Sequence, residues 1–174
     1  MTRSITKLAT VAMVSLLPVA AVAAPNGAVA TLIRGDGTTI GQASLTAKGD
    51  GLRLEVDATG LAPGKHGIHL HAVGSCTGPD FISAGGHWNP MNHKHGIEAA
   101  DGPHMGDLPN IEADESGKAH LTADLAMARL DGSATGMLDA DGAAIVIHAA
   151  PDDYRTDPSG NSGARIACGV IRAN

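Results

Sequence analysis

The chain has 174 residues, a formal net charge of −6 from 12 basic against 18 acidic side chains, and only 2% aromatic residues. That length supplies one domain with a single hydrophobic core, and the acidic balance argues against nucleic acid and anionic membrane surfaces as partners. So few aromatics also argue against a carbohydrate- or protein-binding surface, which leans on Tyr and Trp.

The first element reads as an export signal. Arg3 and Lys7 form a positive start, Leu8 to Val22 is apolar apart from Pro18, and Ala21-Val22-Ala23 fits the small-residue pattern of a signal peptidase site. The apolar run is short for a membrane span, and neither a nearby Cys nor an Arg-Arg pair points to a lipid anchor or the twin-arginine route. Cleavage after Ala23 leaves residues 24–174 as one domain and removes two basic residues, so −6 becomes −8. A periplasmic or secreted location is expected.

The remainder reads as β throughout. Candidate strands are 28–33, 39–46, 51–58, 66–72, 118–125, 143–149 and 164–171, separated by turn clusters such as Gly35-Asp36-Gly37, Gly49-Asp50-Gly51, Pro63-Gly64 and Asp141-Gly142. In the third, Leu52, Leu54 and Val56 share one face while Arg53, Glu55 and Asp57 share the other, the period of a half-buried strand. Short alternating runs between such turns predict a sandwich or barrel. Two stretches break the rhythm, 74–110 and 151–163, and loops this long in a compact domain tend to carry function. The first has few large apolar residues, so a disulfide and a bound metal are expected to order it in place of a core. The only two cysteines, Cys76 and Cys168, are expected to pair, since export permits a disulfide and no cysteine is left over.

Nine histidines are placed in a way that implies metal chemistry. His69 and His71 lie two apart on a predicted strand, so both rings point to one face. His66, with Ile68 and Leu70, falls on the opposite face and reads as a core histidine. Downstream come His87, His93, His95 and His104, with Asp107 three residues after the last. Imidazoles with one carboxylate suit a tetrahedral Zn site, and imidazole clusters also favour Cu among divalent ions. His148 closes the apolar run Ile145-Val146-Ile147 and can join a site from another strand. His120 alternates with Thr122 and Asp124 and reads as solvent-facing.

These residues carry a resemblance. His66-Gly-Ile-His69-Leu-His71, Gly85-Gly86-His87-Trp-Asn-Pro90, Lys94-His95-Gly96, His104-Met-Gly-Asp107-Leu108 and Gly163-Ala-Arg165-Ile-Ala-Cys168-Gly169-Val170 occur in order and resemble the copper/zinc superoxide dismutases. The inserted Pro79-Asp80-Phe81, the Ser83-Ala84-Gly85-Gly86 that follows, and the short loop after His148 resemble the family's bacterial periplasmic branch. The resemblance implies an eight-stranded Greek-key barrel or sandwich with long metal-binding loops, superoxide anion as substrate, and Cu and Zn as cofactors. It implies copper ligation by His69, His71, His87 and His148, and zinc ligation by His87, His95, His104 and Asp107, with His87 as bridge and proton carrier. Family spacing prefers His95 over the extra His93. Asp152 is implied as the carboxylate that links His69 to His95, and Arg165 as the residue that guides and holds the anion, with Arg155 a lesser helper. Family members occur as monomers or dimers, so a homodimer is among the states allowed. The alternative reading is a periplasmic copper- or zinc-binding protein on the same fold with no enzymatic activity.

Overall fold

The computed structural model describes residues 25–100 and 102–174; the expected export signal lies outside them. Ten strands form one antiparallel sheet: β1 (Gly27–Arg34), β2 (Thr39–Lys48), β3 (Gly51–Ala58), β4 (Gly64–His66), β5 (Ile68–His71), β6 (Ile111–Ala113), β7 (Ala119–Leu125), β8 (Ala144–His148), β9 (Arg165–Val170) and β10 (Arg172–Ala173). One 3-10 turn, Ile82–Ala84, is the sole helical element among the described residues, and no helix there is long and apolar enough to cross a membrane.

The strands lie in the order β4-β6-β7-β3-β2-β1-β9-β8-β5, with β10 added to β1. The two ends of that order, β4 and β5, are contiguous in the chain and separated only by Gly67. Up to His66 the chain pairs with β6, and from Ile68 it pairs with β8. Gly67 makes the switch: its N–H donates to Ala150 O and its carbonyl accepts from His148 N–H, both at 2.8 Å. A Cβ there would lie 2.7 Å from Ser162 Cβ, so the crossing point has room only for glycine. The predicted strand 66–72 is therefore two strands, and the sheet is nearly closed into a barrel. Counting β4 and β5 as one run, and β10 as an extension onto β1, leaves the eight strands expected.

Alternation fills the interior. Leu52, Leu54 and Val56 are buried, as are Ile68, Leu70, Ile145 and Ile147 from the strands that carry histidines. The 74–110 loop departs from expectation in having apolar support of its own. Phe81 is fully buried in a second cluster with Ala84, Ala144, Val146 and Cys168, and Trp88 and Leu108 join the main core. Cys76 and Cys168 are bonded across 92 residues, which anchors the same loop to β9.

Candidate metal centre

The free edge of β5 begins the site. Leu70 N–H donates to Gly106 O at 2.9 Å, its carbonyl accepts from Trp88 N–H at 2.8 Å, and Gly106 N–H donates to Trp88 O at 2.9 Å. Two stretches of the long loop thus lie along the edge, with His71 opposite His87 and His69 opposite Asp107. The strand period turns Ile68 and Leu70 into the core and His69 and His71 the other way, towards those stretches. All four residues of β5 are buried.

Four imidazoles from three parts of the chain, His69, His71, His87 and His148, bring ligand atoms within 4.8 Å of one another. Their tautomers follow from their second nitrogens. His71 Nδ1 donates to Gly85 O (2.9 Å) and His148 Nδ1 to Gly163 O (3.1 Å). A carbonyl only accepts, so each Nε2 is left as a lone pair. His69 is turned over: its Nε2 donates to Asp152 Oδ2 at 2.7 Å, leaving Nδ1 as the lone pair. The four nitrogens left over, His69 Nδ1, His71 Nε2, His87 Nε2 and His148 Nε2, are buried without a hydrogen-bond partner. Buried polar atoms of this kind are costly unless something binds them. Burial holds three of these imidazoles neutral, pushing His69 down to about 4, His71 to about 2 and His148 to about 3. Neutral imidazole is the form that ligates a metal.

A second cluster gathers around Asp107. Its Oδ1 lies 2.9 Å from His87 Nδ1, 3.0 Å from His95 Nδ1 and 3.3 Å from His104 Nδ1. Its Oδ2 accepts from the backbone N–H groups of Gly96 (2.8 Å) and His104 (3.0 Å), which fixes the carboxylate. His69, His87, His95 and Asp107 bring ligand atoms within 4.8 Å of one another, and the ring of His69 stacks on that of His87 with centroids 3.9 Å apart. His104 stands at the edge, its Nδ1 3.4 Å from His87 Nδ1. Burial lowers the affinity of His95 for a proton, but bonds to Asp107 and Asp152 outweigh it and raise the ring to about 9. Asp107 is buried too, and the bonds from His87 and His95 hold it well below the usual carboxylate range.

His87 has one nitrogen in each cluster. Asp152 joins them from behind, since its Oδ1 accepts from His95 Nε2 at 3.0 Å while Oδ2 accepts from His69. Of the two adjacent aspartates, Asp152 is buried in this network, whereas Asp153 is exposed and braces a turn through Arg155 and Thr156 N–H. Arg165 pairs across the sheet with His148. Its Nη1 donates to Phe81 O and its Nη2 to Gly85 O, each at 2.7 Å, so Gly85 O serves both Arg165 and His71.

The remaining histidines lie elsewhere. His66 is buried between Ala62 O and His148 O, at 2.8 Å from each. His120 is exposed beside Asp57 at 2.8 Å. His93 is exposed, with Nδ1 donating to Pro103 O. Arg155 pairs with exposed Glu98.

Residue patterns did not reveal three supports. Asn110 clamps the backbone of Asp152, accepting from its N–H at 2.8 Å and donating to its carbonyl at 2.9 Å. Tyr154 N–H donates to Asp152 Oδ1 at 2.7 Å, and its hydroxyl accepts from Asn110 N–H at 2.8 Å. Gly160, at φ 63, passes so close that a Cβ would lie 1.7 Å from Asp152 Oδ1 and 2.7 Å from His95 Nε2. No motif announces these contacts, although a glycine in a polar loop is a cue for close backbone approach.

Comparison with known proteins points to one family. Residues 39–171 match the family model for copper/zinc superoxide dismutase (SODC). The chain is 43% identical over 145 residues to copper-zinc superoxide dismutase 2 of Aquifex aeolicus, covering 82% of this chain and 85% of that protein. It is 42% identical over 148 residues to the Caulobacter vibrioides copper-zinc superoxide dismutase, covering 83% and 85%. Among solved structures, a SOD-like protein from Bacillus subtilis superposes with a TM-score of 0.79 at 40% identity, covering 86% of this chain and all, 100%, of that one.

Proposed function

The chain belongs to the copper/zinc superoxide dismutase family, and on that premise we propose that the two histidine clusters hold copper and zinc, sharing His87 as a bridging imidazolate. The reaction converts two superoxide anions and two protons to dioxygen and hydrogen peroxide. The four partnerless nitrogens of His69, His71, His87 and His148 carry this reading, because they are lone pairs facing one buried space. His87, His95, His104 and Asp107 would hold the zinc through the three Nδ1 atoms and Oδ1.

Copper supplies a one-electron redox cycle that oxidises one superoxide and reduces the next, and zinc supplies a fixed charge with no redox change. The protein does the rest. His87 has one nitrogen in each cluster, so its Nε2 is placed to take up a proton on the copper face and pass it to the peroxide product. Asp152 keeps His69 and His95 in the tautomers that present Nδ1 to the metals. Arg165, held by Phe81 O and Gly85 O beside His71, offers a permanent positive charge to an anion arriving at an acidic protein. We further propose that the protein works outside the cytoplasm, where the Cys76–Cys168 bond persists.

The test compares purified protein loaded with both metals against a zinc-only form in a superoxide-decay assay. Strongly accelerated decay in the first and only the uncatalysed rate in the second is expected. A fully loaded protein that leaves superoxide decay unchanged would turn the reading into a metal-binding protein on this fold.

A further inference from the structure

Six methionines occur in the sequence, four of them within the described residues. One of the four, Met137, is fully buried in the core. The other three, Met91, Met105 and Met127, come from separate segments and line one pocket of about 350 Å³ together with His93. Met91 and Met127 are 47% and 57% exposed, so core packing does not account for them. Met127 also sits at φ 60, a conformation in which glycine or asparagine is the easier residue. Neither burial nor backbone favours a methionine at that position.

His93 is the histidine in this region that the two clusters leave unused, and it is held in place. Its backbone N–H donates to Asn89 Oδ1 at 3.0 Å, and its carbonyl accepts from Asn89 Nδ2 at 2.8 Å. Its Nδ1 donates to Pro103 O at 3.1 Å, which leaves Nε2 as a lone pair. Asp124 also borders the pocket but is already paired with Lys48 and Arg53. With His104 and Asp107 belonging to the second cluster, the donors left are three thioethers and one imidazole, a soft set that favours monovalent copper over borderline zinc and over hard ions.

We propose that the pocket formed by Met91, His93, Met105 and Met127 is a third metal site, which takes a cuprous ion. Its inner wall is made by His104 and Asp107, so the ion sits directly outside the zinc half of the centre. The site's chemistry does not depend on the dismutase reading.

Protein already loaded with copper and zinc, titrated anaerobically with Ag(I) as a redox-silent stand-in and then with Cu(I), should bind one further equivalent per chain. X-ray absorption at that equivalent should show sulfur neighbours. Met91→Leu and Met127→Leu, which keep size and apolarity at exposed positions, should each weaken it at least tenfold, as should His93→Ala. His120→Ala, a change at an exposed histidine elsewhere, should leave it intact, and excess Zn(II) should not compete. The proposal fails if no further equivalent binds, if the bound ion has only oxygen and nitrogen neighbours, or if the Met91→Leu/Met127→Leu double variant still binds it. Stoichiometry and ligand type are read without turnover, so this failure is distinct from a failure of the dismutase reading.

Discussion

Replacing Asp152 with asparagine keeps the shape of the side chain and removes its charge, and the hydrogen bonds around it indicate which metal suffers. Oδ1 accepts from both His95 Nε2 (3.0 Å) and Tyr154 N–H (2.7 Å), whereas Oδ2 accepts from His69 Nε2 alone (2.7 Å). The asparagine carbonyl, the only acceptor left, is best used at the Oδ1 position, where two donors compete for it. The new NH2 then faces His69 Nε2–H, donor against donor. Either that bond is lost, or His69 changes tautomer and its Nδ1 carries a proton where a lone pair is needed. A hydrogen bond to a charged group contributes about 1.5–3 kcal/mol, equivalent to roughly a 10–100-fold loss of metal affinity, the usual size of such an effect. Competition against chelators of known strength, run separately for each metal, should show copper weakened by that factor and zinc by clearly less. Unchanged copper affinity, or a larger loss of zinc, would refute the argument from Oδ2.

Three further outcomes are expected. Gly160→Ala puts a Cβ 1.7 Å from Asp152 Oδ1 at a residue with φ 63. Left-handed strain of about 1–2 kcal/mol should combine with displacement of the aspartate to lower both the melting temperature and the copper content on metal analysis; normal copper content would count against that close approach. Arg165→Ala should retain both metals and lose most of its turnover, with the remainder less sensitive to salt; wild-type turnover at low ionic strength would remove Arg165 from the mechanism. The metal-free protein should be acid-labile. His69, His71 and His148 have native values of about 4, 2 and 3, below the ordinary 6.5. The unfolded chain therefore takes up protons that the native state refuses, and stability falls below pH 6.5. Each group contributes about 1.4 kcal/mol per pH unit, so pH 5 costs up to roughly 6 kcal/mol for the three together. His95, raised to about 9, acts in the other direction and outside this window: its contribution is full below 6.5 and fades as pH rises through 9. Urea denaturation of metal-free protein at pH 7 and pH 5 checks the sign, and equal midpoints would overturn it.

Much of the site was legible because each clue is carried by neighbouring residues. Two histidines two apart on a strand must share a face, and the same parity removed His66 from that set. The spacing of His87, His95, His104 and Asp107 required no coordinates to name a candidate metal loop. Other features were hidden for equally physical reasons. The acceptors that set the tautomers of His71 and His148 are the carbonyls of Gly85 and Gly163, and a backbone carbonyl has no signature in residue type. The support beneath the 74–110 loop was underestimated because Phe81 has no periodic partners in its own segment and finds them on β8 and β9.

By itself, the amino-acid sequence determined the strand periodicity, the pairing of two cysteines, and the identity of the imidazoles and carboxylates available to metal, since these depend on local period and side-chain chemistry. Tertiary structure alone decided where the strand 66–72 changes partner to close the barrel, which nitrogen of each ring remains free, and how Asp152 ties the two clusters together. It also decided that three methionines and His93 share one pocket. These are contacts between residues tens of positions apart, fixed by how the sheet closes and where loop backbones come to lie, and no local pattern contains them.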